Sequence, residues 1–150
     1  MDFRRTLPDD ATQIAALEAA IFPDPWSRDS VIETVCTEGA MCFTAVLEGR
    51  VIAYVLGRII PPEGEIYRVA VDPEFRQRGV GYRLLDYAVK TSRGAGLETV
   101  FLEVRSRNVP AIALYKAYGF RTVGHRRGYY KDPPDDAIIM LKAPRDQQIL

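Results

Sequence analysis

The chain has 150 residues, with 20 basic and 20 acidic side chains and a formal net charge of zero. This length and a hydrophobic content of 47% are typical of one domain that buries its own core without metal or disulfide support. The balanced charge argues against sequence-independent nucleic-acid binding, and no apolar run approaches the roughly 20 residues that span a bilayer. We therefore expect a cytoplasmic protein that binds neither nucleic acid nor membrane.

The two cysteines and the single histidine do not form a metal-binding pattern. Cys36 and Cys42 lie six positions apart, and the only histidine is His125. Because zinc and redox motifs use other spacings, we expect no metal and interpret both cysteines as buried small hydrophobic residues. The apolar pattern predicts one domain over residues 1–142 and a polar tail over residues 143–150.

The first half of the chain predicts a strand, two helices and a hairpin. Apolar residues at i, i+3 and i+7 indicate the first helix, and a serine before an apolar stripe indicates the start of the second. In chain order the elements are a strand at Phe3–Thr6, a helix opening at Pro8–Asp10 with its stripe at Ile14, Leu17 and Ile21, a helix capped by Ser27 and ending near Gly39, and a hairpin of Met41–Leu47 and Val51–Ile60 closed by Pro61, Pro62 and Gly64.

The second half alternates strands and helices before a closing strand pair. Glycines and prolines mark the element ends. The predicted elements are a strand at Ile66–Val71, a helix from Gly79 to Gly94, a strand at Thr99–Val104, a helix from Asn108 to Gly119, and strands at Phe120–His125 and Ala137–Leu141. This order predicts an α/β domain with a mixed, mostly antiparallel sheet flanked by helices.

A glycine-rich turn joins the strand that ends at Val71 to the following helix. Gly79 and Gly81 have no Cβ, so the backbone can approach a ligand closely, and the first N–H groups of the helix are free to bind an anion. The GxG spacing lacks the third glycine of a Rossmann dinucleotide site, which excludes that class. From this segment alone, a phosphate site and a helix start that merely tolerates glycine both remain open.

The residues around this turn resemble those of the GNAT acetyltransferases. Arg76-Gln77-Arg78-Gly79-Val80-Gly81 matches the R/Q-x-x-G-x-G/A signature of that family. The resemblance continues in the family's order through Val69-Ala70-Val71-Asp72-Pro73, Leu102-Glu103-Val104-Arg105, Asn108, Ala111-Ile112-Ala113-Leu114-Tyr115 and Gly119-Phe120. It implies a GNAT-type domain that uses acetyl-CoA.

The resemblance also implies a role for each matched residue. Glu103 corresponds to the catalytic base and Tyr115 to the acid. The residues implied to bind acetyl-CoA are Val69, Ala70 and Val71 on the strand, Gln77, Arg78, Gly79, Val80, Gly81 and Tyr82 at the turn, and Asn108.

The residues by themselves leave two roles open for each catalytic candidate. Strand alternation places Glu103 on one face with Phe101 and Arg105, where a structural salt bridge with Arg105 competes with a base. Tyr115 lies on an amphipathic helix, where core packing competes with catalysis. His125 next to two arginines predicts a surface or packing role.

Three further segments extend the resemblance: Pro25-Trp26-Ser27, Arg126-Arg127-Gly128-Tyr129-Tyr130 and Asp136-Ala137-Ile138-Ile139-Met140. With them, the chain is similar within the family to enzymes that acetylate the N-terminal alanine of ribosomal protein S18. This similarity implies a protein N-terminus as the acceptor, with Trp26, the Ile60–Glu65 turn and the Tyr129–Tyr130 loop as walls of the peptide site. The chain departs from that pattern at Gly128, where asparagine is common, and at Asp24, where histidine is common. Acetylation of a lysine or small amine, and coenzyme binding without turnover, remain alternatives.

Overall fold

The computed structural model describes residues 1–144, which form seven strands and four α-helices. The strands are β1 (Asp2–Arg5), β2 (Phe43–Leu47), β3 (Arg50–Ile60), β4 (Glu63–Val71), β5 (Thr99–Arg105), β6 (Arg121–Lys131) and β7 (Pro134–Lys142). The helices are α1 (Ala11–Ile21), α2 (Arg28–Cys36), α3 (Val80–Arg93) and α4 (Val109–Tyr118). Most of the predicted tail, residues 145–150, lies outside the described residues.

The strands form one mixed sheet in the order β1-β2-β3-β4-β5-β7-β6. The β4–β5 pair is parallel, and the other neighbouring strands pair antiparallel. This confirms the predicted α/β domain with a mostly antiparallel sheet. Within residues 1–144, no helix is both long and apolar enough to cross a membrane.

Several predicted element ends coincide with observed caps. The Ser27 side chain accepts a hydrogen bond from the Ser30 N–H, and the Asn108 side chain accepts one from the Ala111 N–H. Gly119 ends α4 with φ at 107°, a left-handed conformation that favours glycine. These contacts confirm the sequence-based starts of α2 and α4 and the end of α4.

Other predicted boundaries were wrong. The turn predicted at Ile60–Glu65 contains only Pro61 and Pro62, because β4 already begins at Glu63. The loop predicted at Tyr129–Tyr130 belongs to β6, which continues to Lys131 instead of ending at His125. Cys42 is buried as predicted, whereas Cys36 is exposed at the end of α2.

The sheet separates two apolar clusters. Helices α3 and α4 cover one face, where Leu84 and Leu85 of α3 pack with Phe43, Leu102 and Met140 of the strands. Helices α1 and α2 cover the other face, where Ile14 and Val31 pack with Tyr54, Leu56 and Ala70. Both faces near β4 are therefore covered by helices, which fixes this strand in the centre of the domain.

Strands β4 and β5 pair only over the first part of their length. Their ladder runs from Glu63 opposite Thr99 to Ile66 opposite Leu102 and then stops. Tyr67 is an extra residue on β4, since Leu56 of β3 faces Arg68 while Gly57 faces Ile66. Such a bulge bends the strand and increases its twist, and here it lies where β4 leaves β5. We call the unpaired region beyond Ile66 and Leu102 the split.

Candidate active site

A cleft lies at the split and receives side chains from both sides of the sheet. It is lined by Phe22, Tyr67, Arg68, Val69, Glu103, Val104, Arg105, Asn108, Tyr115 and Tyr130. The cleft therefore contains both predicted catalytic residues and two of the predicted coenzyme-binding residues. The other predicted coenzyme-binding residues lie along the end of β4 and the start of α3.

The turn before α3 has the backbone conformation expected of an anion-binding loop. Gly79 is the N-cap of α3 with φ at 76°, and Gln77 also has a positive φ of 62°. A Cβ on Gly79 would meet no atom within 4 Å, so the space beside this glycine is open. A Cβ on Gly81 would lie 3.2 Å from both Leu114 and Val71, which explains glycine there by close packing. Open backbone at a helix N-terminus suits a diphosphate.

Two of the arginines near this turn contact the protein itself. Arg76 Nε donates to the Val71 carbonyl at 3.2 Å, so the Arg76 side chain lies over the end of β4. The guanidinium of Arg78 lies 5.3 Å from the centre of the Phe75 ring. Both guanidinium groups are therefore held by residues of the segment between β4 and α3.

Glu103 lies on the face of β5 that looks into the cleft. The alternation of exposure along Thr99–Arg105 confirms that Glu103 and Arg105 share one face. The predicted structural alternative, a Glu103–Arg105 salt bridge, is not observed among residues 1–144. Instead, Glu103 Oε1 lies 3.8 Å from Arg126 Nη2, and a hydrogen bond from Tyr129 to Glu103 raises the pKa of that tyrosine. Glu103 is thus a partly exposed carboxylate held between β6 side chains.

A second carboxylate, Glu65 of β4, lies beside Glu103. Glu65 pairs with Phe101 in the parallel ladder, which places Glu65 and Glu103 on the same face of the sheet. Burial, followed by the negative charge of Glu103, raises the pKa of Glu65. Two carboxylates therefore lie close together on this face of the sheet, one of them lining the cleft.

Tyr115 reaches the cleft from α4. It is buried, and its ring packs against Phe120 with 5.5 Å between centroids. Burial raises the pKa of Tyr115 well above its ordinary value, so the hydroxyl stays protonated throughout the physiological pH range. Both interpretations of Tyr115 are compatible with this position: it packs in the core and also lines the cleft.

An ion-pair cluster behind the cleft was not predicted from the sequence. Glu18 of α1 is fully buried and accepts hydrogen bonds from Arg68 Nε at 3.1 Å, from the Trp26 N–H at 3.0 Å and from the Tyr54 hydroxyl at 2.5 Å. The sequence did contain one indication of a buried ion pair: Glu18 is a charged residue that lies four positions after Ile14, on the apolar face of α1. The cluster joins α1 to β3, β4 and the loop that follows α1.

A bulge in β6 turns its side chains toward Glu103. Arg126 faces Ala137 and Tyr130 faces Asp135, so an advance of four residues along β6 corresponds to only two residues along β7. Gly128 has φ at 60° within this bulge, and its N–H donates to Asp136 Oδ1 at 2.7 Å. Asparagine tolerates this left-handed conformation better than other non-glycine residues. The departure from asparagine at this position therefore preserves the backbone geometry.

His125 is half exposed and lies 3.1 Å from Asp136, which confirms the predicted surface role. Hydrogen bonds from Gly128 and then from His125 lower the pKa of Asp136.

Among residues 1–144, no group of three or more histidine, cysteine or acidic side chains is arranged to hold a metal.

Comparison with known proteins identifies the family. The model of the acetyltransferase (GNAT) family matches residues 11–120. The chain belongs to the GNAT acetyltransferase family. The glycine turn, the split and all residues that line the cleft except Tyr130 fall within this matched region, and the enzyme class is accordingly that of an N-acetyltransferase.

Individual relatives have a more specific description. The chain is 36% identical over 143 residues to the N-alpha-acetyltransferase RimI of Mycobacterium tuberculosis, a match that covers 91% of this chain and 89% of the relative. It is 34% identical over 118 residues to the ribosomal protein bS18-alanine N-acetyltransferase of Escherichia coli, covering 77% and 79% of the two chains. The crystal structure of the Escherichia coli ribosomal-protein-S18-alanine N-acetyltransferase superposes with a TM-score of 0.86 at 29% identity, over 95% of this chain and 92% of that one.

Proposed function

We propose that this GNAT enzyme transfers the acetyl group of acetyl-CoA to the N-terminal α-amine of a protein, with ribosomal protein S18 as the first candidate. The observation that carries this proposal is that Glu103 of β5 and Tyr115 of α4 line one cleft at the split. The relatives named above act on protein N-termini, which supports the same acceptor class here.

The residues at the split and the glycine turn fit acetyl-CoA. Beyond Ile66, the side of β4 that faces β5 is free of strand pairing, so the backbone of Val69, Ala70 and Val71 can bind the pantetheine amides. The open backbone beside Gly79, together with its neighbours from Gln77 to Tyr82, would hold the diphosphate. Asn108 lines the cleft at the N-terminus of α4, where it would contact the coenzyme.

When bound, acetyl-CoA supplies the activated acetyl thioester. Glu103 accepts a proton from the attacking ammonium, directly or through one water, so that the amine becomes nucleophilic. Glu65 lies on the same face, and its carboxylate would add to the attraction of the ammonium toward Glu103. The carboxylate that removes the proton and the one that attracts the cation are then neighbours on adjacent strands.

Tyr115 acts on the leaving sulfur. Because burial raises its pKa further above that of a CoA thiol, complete proton transfer before the C–S bond breaks is uphill. The hydroxyl therefore donates a hydrogen bond to the sulfur as negative charge develops there, and the proton follows late in the step.

The acceptor class agrees with a carboxylate base. At pH 7.4 about a quarter of an α-amine is neutral, against about 0.1% of a lysine side chain. A single partly exposed carboxylate such as Glu103 is a strong enough base to deprotonate an α-amine. It is too weak a base to deprotonate most of a lysine side chain. This difference favours an N-terminus over a lysine.

The proposal is tested by mass spectrometry of acetylated products. We expect acetylation of an alanine-starting S18 peptide at its α-nitrogen and no comparable transfer to an N-blocked copy with an internal lysine or to polyamines. Acetylation confined to the lysine or polyamine would show that the acceptor is not a protein N-terminus. Binding of acetyl-CoA without any transfer would indicate a non-catalytic module.

Changing Tyr115 to Phe should lower kcat with little effect on the Kd for acetyl-CoA. Loss of one hydrogen bond to a developing charge corresponds to a decrease of about tenfold to a hundredfold. Tyr118→Phe is the matched control, because Tyr118 is equally buried on α4 but donates to Asp86 at 2.9 Å and does not line the cleft. Equal kcat values for the two variants would remove Tyr115 from the mechanism.

Changing Gly79 to Ala should weaken acetyl-CoA binding about tenfold. The added Cβ would keep the diphosphate away from the backbone, and the loss of one charge-assisted hydrogen bond has an effect of that size. A Cβ at φ 76° also costs about 1 kcal/mol of stability. Gly49→Ala separates the two effects, since Gly49 has φ at 78°, open surroundings and a position in the β2–β3 turn. We expect similar losses in thermal stability and a calorimetric Kd that changes only for Gly79→Ala. An unchanged Kd for Gly79→Ala would contradict the anion site.

A further inference from the structure

Two arginines and one aspartate connect the two sides of the split. Arg68 comes from β4, Arg105 comes from β5, and both line the cleft. Asp24, in the loop after α1, lies between them: its Oδ1 is 3.2 Å from Arg68 Nη2 and its Oδ2 is 3.4 Å from Arg105 Nη2. One carboxylate therefore bridges two guanidinium groups across the split.

The charges of this group balance only when Asp24 is included. Arg68 also pairs with the buried Glu18, so two carboxylates oppose two guanidinium groups. The arginine side chains are 13% exposed, whereas that of Asp24 is 37% exposed. Loss of the Asp24 carboxylate would leave one net positive charge at a poorly solvated position.

Both arginines are held in place by contacts besides Asp24. The Arg68 guanidinium stacks 4.0 Å from the Phe22 ring centre, and that of Arg105 lies 4.1 Å from the Tyr130 ring centre. Arg105 Nη1 also donates to the Pro133 carbonyl at 2.8 Å. The two guanidinium groups are thus preorganised to bind a carboxylate, and in the folded protein Asp24 supplies it.

With an α-amine at Glu103, the substrate's first side chain would lie close to this group. Glu103 and Arg105 are two residues apart on one face of β5, which corresponds to about 6.6 Å along the strand. An α-amine beside Glu103 therefore carries its own side chain to within reach of Arg105. An aspartate or glutamate there would meet the Asp24 carboxylate and find both arginines already paired.

We infer that Asp24 sets the specificity for the substrate's first residue by excluding acidic side chains. This inference rests on the proposed N-terminal acetyltransferase function. Asp24 occupies the carboxylate position between Arg68 and Arg105 and repels a second carboxylate, while small neutral first residues are unaffected. Specificity built on such a repulsive group is reversed when the group is removed.

The test compares kcat/KM for peptides that start with Asp or Glu with kcat/KM for the same peptide starting with Ala. In Asp24→Ala the acidic-to-alanine ratio should rise at least about tenfold, the size of one charge-assisted contact. Asp24→Asn keeps the side-chain shape and should shift the ratio in the same direction, which preserves the test if the alanine variant does not fold. Asp24→Glu retains the charge and should keep the wild-type ratio.

Two further variants exclude indirect effects. Asp24→Ala combined with Arg105→Gln should lose the rise in the ratio, because the guanidinium that would donate hydrogen bonds to the substrate carboxylate is gone. Asp29→Ala removes an exposed carboxylate at the start of α2, outside the cleft, and should leave the ratio at its wild-type value. A folded Asp24→Ala enzyme that acetylates the alanine peptide with an unchanged ratio would overturn the inference. Wild-type enzyme that acetylates no peptide would instead overturn the proposed function.

Discussion

Glu103→Gln should lower kcat for an alanine-starting peptide about a thousandfold at pH 7, which is within the usual range for removal of a general base. The amide has the shape of the carboxylate but cannot accept the ammonium proton. The ratio of wild-type kcat to variant kcat should decrease by up to about eightfold between pH 7 and pH 9, because most of an α-amine is neutral at pH 9 even without a base. Steady-state kinetics at saturating acetyl-CoA across this pH range measure both effects.

Glu98→Gln is the matched control for this experiment. Glu98 is an exposed glutamate just before β5 and does not line the cleft, so its substitution should leave kcat unchanged. A Glu103→Gln enzyme with wild-type kcat would mean that Glu103 is not the base. A deficit that is equal at pH 7 and pH 9 would mean that Glu103 does not act by removing the ammonium proton.

Glu18→Ala should lower the free energy of unfolding by about 3–5 kcal/mol, the usual cost of removing one partner from a buried ion pair. Glu18 is fully buried, and its loss removes acceptors from Arg68, the Trp26 N–H and the Tyr54 hydroxyl. For a domain of this length the change corresponds to a decrease in Tm of about 10 °C. Calorimetry or urea denaturation measures it.

Two variants show whether the loss comes from uncompensated charge. Glu33→Ala removes an exposed carboxylate on α2, and its effect should stay within about 0.5 kcal/mol. Glu18→Leu combined with Arg68→Met removes both charges and should be less destabilising than Glu18→Ala, because no buried charge is left unpaired. If the double variant is the less stable of the two, packing and not charge explains the effect of Glu18.

The features predictable from the sequence are those determined by neighbouring residues. The glycine turn before α3 and the caps at Ser27, Asn108 and Gly119 depend on contacts within a few positions, and the structure contains all of them. The shared face of Glu103 and Arg105 follows from strand alternation alone. Local geometry therefore locates the glycine turn and both catalytic candidates on their elements.

The extent of β6 was missed because its sequence has no strand-like burial pattern. Most of Arg121–Lys131 is exposed on an edge strand, so the alternation that identifies β5 is absent. A glycine at positive φ within the strand, Gly128, also indicates a turn by local rules, although here it forms a bulge. The consequence is that Tyr129 and Arg126 contact Glu103 from a strand and not from a loop.

The ion pairs around the cleft were not predictable from local sequence. Asp24 and Arg105 are 81 positions apart, and Glu18 and Arg68 are 50 apart. The salt bridge between Glu103 and Arg105 was considered because the two residues share one face of β5. In the fold, Glu103 instead lies near Arg126 and Arg105 pairs with Asp24, each from another element. Partners of this kind depend on the tertiary arrangement of α1, β4, β5 and β6.

The most direct test of the account is a crystal structure with CoA covalently joined to an alanine-starting peptide. We predict the diphosphate on the backbone N–H groups of the turn at Gly79 and Gly81, the sulfur beside the Tyr115 hydroxyl, and the α-nitrogen about 3 Å from Glu103 or one water away. A diphosphate bound elsewhere, or an α-nitrogen remote from Glu103, would contradict the proposed mechanism.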